Sequence, residues 1–193
     1  MFPEIERVLI DRARIASRVR ELADQLCADL RSAIDRVPRP PGEDARIVIV
    51  PIMSGAIVFV ADLLREMPMK VRIGLVAVRS YPGKSMASKG AAIASELPED
   101  LAGAHVVVVD DILDSGQTLE MVRRLIAAQH PASLRACVLL RKNVRRAATT
   151  PDNQLAEHVG FDIPDEFVVG YGLDYDGHYR NYPSVATLRR EVL

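Results

Sequence analysis

Val106-Val107-Val108-Val109-Asp110-Asp111-Ile112-Leu113-Asp114-Ser115-Gly116-Gln117-Thr118 is a valine run that ends in acids and then in a hydroxyl-glycine-hydroxyl turn. Four consecutive valines suit a strand buried on both faces, as in a parallel sheet. Leu119, Val122, Leu125 and Ile126 resume the apolar pattern at helical spacing, so the turn opens a helix. Gly116 permits the chain to curl. The backbone N–H groups of 114–118 then point into a concavity at a helix N-terminus, where a phosphate monoester is stabilised. Ser115 and Thr118 add hydroxyl donors to the same oxygens. Asp110 and Asp111 stand at the carboxyl end of the strand, where ligands of open α/β sheets bind, and can accept from sugar hydroxyls or hold magnesium-bound waters. Their charge repels a bare phosphate. Acids beside a phosphate cradle therefore suit a ligand carrying a sugar diol and a phosphate, chelated by a divalent cation. The plainer reading is that the acids only cap the helix.

Working outward, strands and helices alternate. Ile47 to Met53 is an almost unbroken β-branched run, followed by Ser54-Gly55 and an apolar helical pattern from Ile57 to Leu64, which predicts strand, tight turn and helix. Val71 to Val78 predicts a second strand, Ala136 to Leu140 and Phe167 to Tyr171 two more. Upstream, Ile10, Ile15, Val19, Leu22, Leu26 and Leu30 make a helical stripe, closed by a proline-rich and charged loop over 36–46. Arg79 to Ala92 is small, polar and glycine-containing, too long for a routine connection and suited to a lid. The expected fold class is α/β, a central mostly parallel sheet flanked by helices.

The 193 residues suffice for a full core, and no internal repeat divides them. The 25 basic and 26 acidic side chains nearly cancel, which gives no electrostatic case for a protein that lives on nucleic acid or an anionic membrane. Cys27 and Cys137 show no paired spacing and read as core packing. The stretch MFPEIERVLIDRARIA carries charge throughout its apolar pattern, unlike a signal peptide. No segment approaches the roughly 18 uncharged apolar residues of a membrane helix. A cytoplasmic enzyme is the simplest expectation.

The valine-to-threonine stretch resembles the phosphoribosyl pyrophosphate motif of type I phosphoribosyltransferases: four apolar residues, two acids, two apolar residues, then Asp-Ser/Thr-Gly-x-Thr. A second stretch, Phe161-Asp162-Ile163-Pro164-Asp165-Glu166-Phe167-Val168-Val169-Gly170-Tyr171-Gly172-Leu173-Asp174-Tyr175, resembles the base-binding region of the hypoxanthine-guanine members, with Arg180 at that family's spacing. The resemblance runs from the N-terminal helix through Pro183 and is weakest between Arg79 and Leu101. It implies one phosphoribosyltransferase domain over 1–193, with a core near 46–142 and a small hood from about 1–35 and 143–193. It also implies Mg2+ as cofactor, a 6-oxopurine and phosphoribosyl pyrophosphate as substrates, no nucleic-acid or membrane partner, and a homodimer or homotetramer.

Carried over by position, the resemblance makes Asp114 the acid that manages the proton at purine N7. The 5′-phosphate goes to Asp114, Ser115, Gly116, Gln117 and Thr118, with Asp110 and Asp111 beside them. Lys142 donates to O6, Phe167 stacks on the base, Val168 reads its edge through backbone groups, and Ile112 lines the base site. Asp174 borders the base and ligates magnesium, a role shared with Asp110 and Asp111, while Arg180 contacts pyrophosphate. Ser80 and Tyr81 match the Ser-Tyr that begins the family's lid. Chemistry agrees at Lys142, because an ammonium suits a 6-oxo group and opposes adenine's 6-amino donor.

Alone, Lys142 in the run Arg141-Lys142-Asn143-Val144-Arg145-Arg146 reads as a solvated charge, and Phe167 as a core aromatic. Asp174-Tyr175-Asp176-Gly177 begins like a calcium loop but lacks the distal glutamate. Two other functions compete: a non-catalytic nucleotide-sensing regulator of this fold that binds nucleic acid, and a transferase for xanthine or a pyrimidine. One departure stands out at Met53-Ser54-Gly55, where the family usually places a basic residue in the Ser54 position. There the resemblance implies a pyrophosphate loop, often with a non-proline cis peptide, that offers backbone N–H groups. The plainer alternative makes Ser54 a helix N-cap.

Overall fold

A computed structural model describes residues 2–40, 42–79, 92–93, 98–144 and 150–192. In chain order its elements are β1 (Ile5–Ile10), α1 (Arg12–Asp35), β2 (Ile47–Met53), α2 (Ile57–Glu66), β3 (Arg72–Ile73), β4 (Val76–Arg79), β5 (Ala92–Ile93), β6 (His105–Leu113), α3 (Gln117–Ala127), β7 (Ser133–Lys142), α4 (Asp152–Leu155), β8 (His158–Ile163), β9 (Val168–Val169) and β10 (Val185–Leu188). The Ser80 and Tyr81 lid assignment lies outside the described residues.

The large sheet runs β5-β4-β2-β6-β7-β8, with β3 also paired to β2. Every pairing in it is parallel except β4 with β5. Its central strands are apolar on both faces, as the valine run requires. Ile49, Val107, Val109, Cys137 and Leu139 join α1 and α2 in one core, while Val48, Val50, Val106, Val108 and Val138 join α3 in the other. Both cysteines are buried and free. In α1 the stripe Ile15, Val19, Leu22, Leu26 and Leu30 is buried, and Asp11 caps the helix by accepting from the Arg14 N–H at 2.9 Å. No helix among the described residues is long and apolar enough to cross a membrane.

Several expectations change. The Val71–Val78 strand is two short ones, broken around Gly74 and Leu75. Pro51 of β2 lacks an N–H, and it falls between the residues that pair with β3 (Val48, Ile49) and those that pair with β4 (Ile52, Met53). Ile10 closes a strand, not a helical stripe, because Asp11 caps the helix after it. The strand in Phe167–Tyr171 is only Val168–Val169, and it belongs to a separate antiparallel sheet, β1-β10-β9. That small sheet joins the two ends of the chain, so its pairing has no local signal. The edge strand β8 was unforeseen, its residues being only partly buried up to Ile163. α1 and β8, which fall within the expected hood ranges, pack on the large sheet.

Candidate active site

Two turns lie side by side where neighbouring parallel strands end. β2 and β6 pair up to Pro51 and Val109. Beyond them come Met53-Ser54-Gly55, whose first peptide bond is cis, and Asp114-Ser115-Gly116. Both turns enter helices without a side-chain cap: the N-cap of α2 is Ala56 and that of α3 is Gly116, at φ 79°. Ser54 is therefore not the N-cap of α2, and the acids at 110 and 111 do not cap α3. Glycine adopts that left-handed conformation without steric cost. A helix start without a side-chain cap presents backbone N–H groups that an anion can take. At the start of α3 the Gln117 N–H meets Ser115 Oγ at 3.4 Å, a weak contact. A cavity of about 250 Å³ opens between the turns, lined on one side by Gly55 and on the other by Asp114, Ser115, Gly116 and Thr118. Gln117 is turned to a different groove behind α3, so only its backbone belongs to the cradle.

Asp110 and Asp111 floor this cavity, with Ile112 beside them. Asp110 is buried, its carboxyl pushed well above the ordinary range by that burial and then by the neighbouring Asp111. Asp111 is also raised by burial, which a hydrogen bond from Asp110, backbone N–H donors and the charge of Arg180 only partly offset. A Cβ added to Gly55 would lie 1.8 Å from Asp111 Oδ2. Only glycine lets the Ser54-Gly55 backbone settle onto that carboxylate.

The other end of the candidate site is built from charged and aromatic side chains. Lys142 Nζ, at the end of β7, lies 3.1 Å from Asp114 and 3.2 Å from Asp165. Its side chain is only 11% exposed. Burial works against the ammonium, but the two carboxylates outweigh it and raise its pKa, so the lysine is a cation. The solvated-charge reading of Lys142 is excluded. Phe167 is 45% exposed, its ring edge-on to Tyr175 at 5.6 Å, so it is no core aromatic. Val168 is buried.

Asp174 accepts from the Gly177 N–H at 2.9 Å and pairs with Arg180 at 2.7 Å, which makes Asp174–Gly177 a tight turn. Arg180 also donates to the Gly172 carbonyl at 2.6 Å. Gly172, at φ 105°, packs on Gly55: a Cβ there would meet the Gly55 carbonyl oxygen at 2.2 Å. Tyr171 binds Asp62 of α2 at 2.6 Å. The base-side segment therefore rests directly on the Ser54-Gly55 turn. Sequence reasoning missed Asp165, although it lies inside the quoted Phe161–Tyr175 stretch. It also missed the Tyr171–Asp62 and Gly172–Gly55 contacts, for which no local pattern exists.

A model of the phosphoribosyl transferase domain matches residues 10–176. The hypoxanthine-guanine phosphoribosyltransferase of Mycobacterium avium is 37% identical over 189 residues, which cover 98% of this chain and 88% of that one. The hypoxanthine phosphoribosyltransferase of Escherichia coli is 36% identical over 178 residues, 92% of each chain. Among solved structures, a hypoxanthine-guanine phosphoribosyltransferase of Bacillus anthracis superposes with a TM-score of 0.80 at 34% identity, covering 96% of this chain and 100% of that one. The hypoxanthine phosphoribosyl transferase of Trypanosoma cruzi gives 0.85 at 30% identity, covering 100% and 95%.

Proposed function

Since this chain belongs to the phosphoribosyltransferase family, we propose that it is a purine-salvage enzyme joining hypoxanthine or guanine to the ribose phosphate of phosphoribosyl pyrophosphate. The observation that carries the reading is the pair of helix starts without side-chain caps on adjacent strands, with a cation–carboxylate pair at the far side. A ligand with phosphate groups at two ends of one ribose fits two cradles. The Asp114–Lys142 pair, an acceptor 3.1 Å from a donor, complements the N7–H and O6 of a 6-oxopurine and opposes adenine.

In the reaction the C1–oxygen bond to pyrophosphate breaks as purine N9 forms a bond to C1. Asp114 holds the imidazole proton at N7 and receives it. Asp110, Asp111 and Asp114 place negative charge beside the cationic ribose of the transition state, and Arg180 with the Ser54-Gly55 backbone receives the departing pyrophosphate. Phe167 stacks on the base, Val168 meets its edge through backbone groups, and Ile112 lines the site. Ser80 and Tyr81 would begin the lid that keeps water from C1.

The donors available to a metal are carboxylate oxygens. No three His, Cys, Asp or Glu side chains gather into a cage among the described residues. That fits magnesium, which takes one or two carboxylates and completes its shell with water and substrate oxygens. Asp174 and the Asp110–Asp111 pair would hold it, and when bound it supplies charge neutralisation of the pyrophosphate. A cytoplasmic location and assembly into two or four copies complete the proposal, the latter checked by light scattering on the purified chain.

A base panel tests the reading. With magnesium and phosphoribosyl pyrophosphate, hypoxanthine and guanine should release pyrophosphate, and adenine and uracil should not. Turnover of xanthine or a pyrimidine alone, or salt-sensitive capture of RNA without turnover, would replace it by one of the competing functions.

A further inference from the structure

We propose that Asp165 is a positioning residue for base recognition: its carboxylate holds the Lys142 ammonium at the 6-oxo position when the purine displaces Lys142 from Asp114. The inference rests on the 6-oxopurine reading above.

The argument starts from the order of three strands. β6, β7 and β8 are parallel neighbours, with Leu113 opposite Arg141 and Lys142 opposite Ile163. One residue past Leu113 is Asp114, and two past Ile163 is Asp165. The central strand thus ends in a cation and each flanking strand leads into an acid. Lys142 is 11% exposed, against 53% for Asp114 and 66% for Asp165. The ammonium is embedded and the carboxylates reach it from the rim.

A 6-oxopurine presents N7 and O6 along one edge. To meet both Asp114 and Lys142 that edge must enter between them and part their 3.1 Å contact. Parting this ion pair strands the less exposed charge, that of Lys142, and such a charge is costly unless another partner stays with it. A carbonyl oxygen carries only a partial charge. Asp165, 3.2 Å away on the turn that follows β8, is a full counter-charge that stays.

The Asp165 turn is itself fixed. The Glu166 N–H donates to the Pro164 carbonyl at 2.9 Å, and the Glu166 carboxylate pairs with Arg7 of β1 at 2.6 Å. Phe167, proposed to stack on the base, leaves the same turn. Asp165 is therefore placed before any ligand arrives.

Steady-state kinetics of wild type, Asp165→Ala and Asp165→Asn, with each substrate varied in turn, test the proposal. Asp165→Ala should raise KM for hypoxanthine and guanine roughly tenfold, on the scale of one charge-assisted hydrogen bond. KM for phosphoribosyl pyrophosphate should stay within about twofold. Asp165→Asn, which keeps an acceptor oxygen and the side-chain volume, should recover part of the loss. The alkaline limb of kcat/KM for the base should move to lower pH in Asp165→Ala, because removing a carboxylate lowers the pKa of the ammonium. A merely structural loss would raise both KM values together and leave the pH limb in place; that result, or an unchanged base KM, overturns the inference. Wild-type protein that makes no nucleotide from any 6-oxopurine sinks the parent reading instead, and is seen before any variant is compared.

Discussion

The two ends of the site are built by different means. At the end proposed to take phosphate, backbone N–H donors are set in place by two parallel strands and two glycines, Gly55 and Gly116. At the end proposed to take the base, charged and aromatic side chains gather, held by ion pairs between separate segments, Lys142 with Asp114 and Asp165 and Glu166 with Arg7, and by the local pair Asp174 with Arg180. Backbone donors tolerate side-chain changes and fail when the turn cannot close. Side-chain donors fail singly, each with its own substrate. Substitutions at the two ends should therefore differ in kind as well as in size.

The largest effect belongs to the residue the two ends share. Asp114→Asn should lower kcat by roughly 10²–10⁴, the range for a positioned acid or base, with the melting temperature little changed. Stopped turnover without a change in phosphoribosyl pyrophosphate affinity is the signature to seek by single-turnover kinetics and titration. Near wild-type turnover would remove Asp114 from the chemistry. Next comes Lys142→Met, which should cut kcat/KM for both 6-oxopurines by roughly 10- to 100-fold, as for a hydrogen bond to a charged group. Adenine should gain relative standing. If phosphoribosyl pyrophosphate binding falls equally, the division into two ends is wrong.

What could be read from the sequence follows the same division. The phosphate end lies within one strand-turn-helix, so Val106 to Thr118 discloses the strand, the glycine turn and the acids together. The base end needs the small antiparallel sheet, whose strands β1 and β10 pair Ile5 with Leu188 across almost the whole chain. No periodicity in Val168–Val169 distinguishes that sheet from a continuation of the large one. Lys142, Phe167 and Arg180 were found through the family resemblance, whereas Lys142 taken alone pointed to a solvated charge and Phe167 to a core aromatic. Asp165 escaped because an exposed acid in a Pro-Asp-Glu turn looks like any surface acid.

Gly172→Ala probes the contact between the ends. At φ 105°, with the Gly55 carbonyl 2.2 Å from the added carbon, a side chain costs on the order of 1–3 kcal/mol in backbone conformation alone. The melting temperature should fall by several degrees. Pyrophosphate affinity should fall with it, because the Ser54-Gly55 turn has to move. A variant with normal stability and normal pyrophosphate titration would show that the base-side segment does not support the loop.

Asp110→Asn should act in the opposite direction and stabilise the ligand-free protein. Its carboxyl is raised by burial and then by Asp111, so the folded chain keeps a proton that the unfolded chain releases. At pH below the ordinary aspartate range both states are protonated and the variant should match wild type. As pH rises through that range the unfolded state loses its proton first, so wild-type stability falls, until the folded carboxyl also ionises. Asparagine does not titrate. The melting temperature of the variant should therefore exceed that of wild type by an increment that grows from about pH 4 upward. An increment that shrinks with pH would mean that Asp110 is ionised in the folded protein.

The smallest effect is expected where the chain departs from its family. Ser54 is exposed on the turn before α2, and the N-cap of that helix is Ala56 with no side-chain hydrogen bond. The Ser54 carbonyl accepts from the Ile57 N–H at 3.2 Å, a contact that any residue supplies. Ser54→Ala should therefore leave the melting temperature unchanged, with or without ligand. If the pyrophosphate loop works through backbone N–H groups, the lost hydroxyl should cost less than about 1 kcal/mol of pyrophosphate affinity, the scale of one neutral hydrogen bond. Arg180 is the contrasting case. Its guanidinium is tied to Asp174 at 2.7 Å and to the Gly172 carbonyl at 2.6 Å, and its charge reaches Asp111. Arg180→Ala thus removes the charge-assisted contact proposed for the leaving group together with a brace of the base-side turn, and should cost more than Ser54→Ala. Calorimetric titration of both variants with magnesium pyrophosphate compares them directly. A larger loss for Ser54→Ala would mean that the hydroxyl, and not the backbone, holds pyrophosphate, and the contrast between a backbone end and a side-chain end would no longer stand.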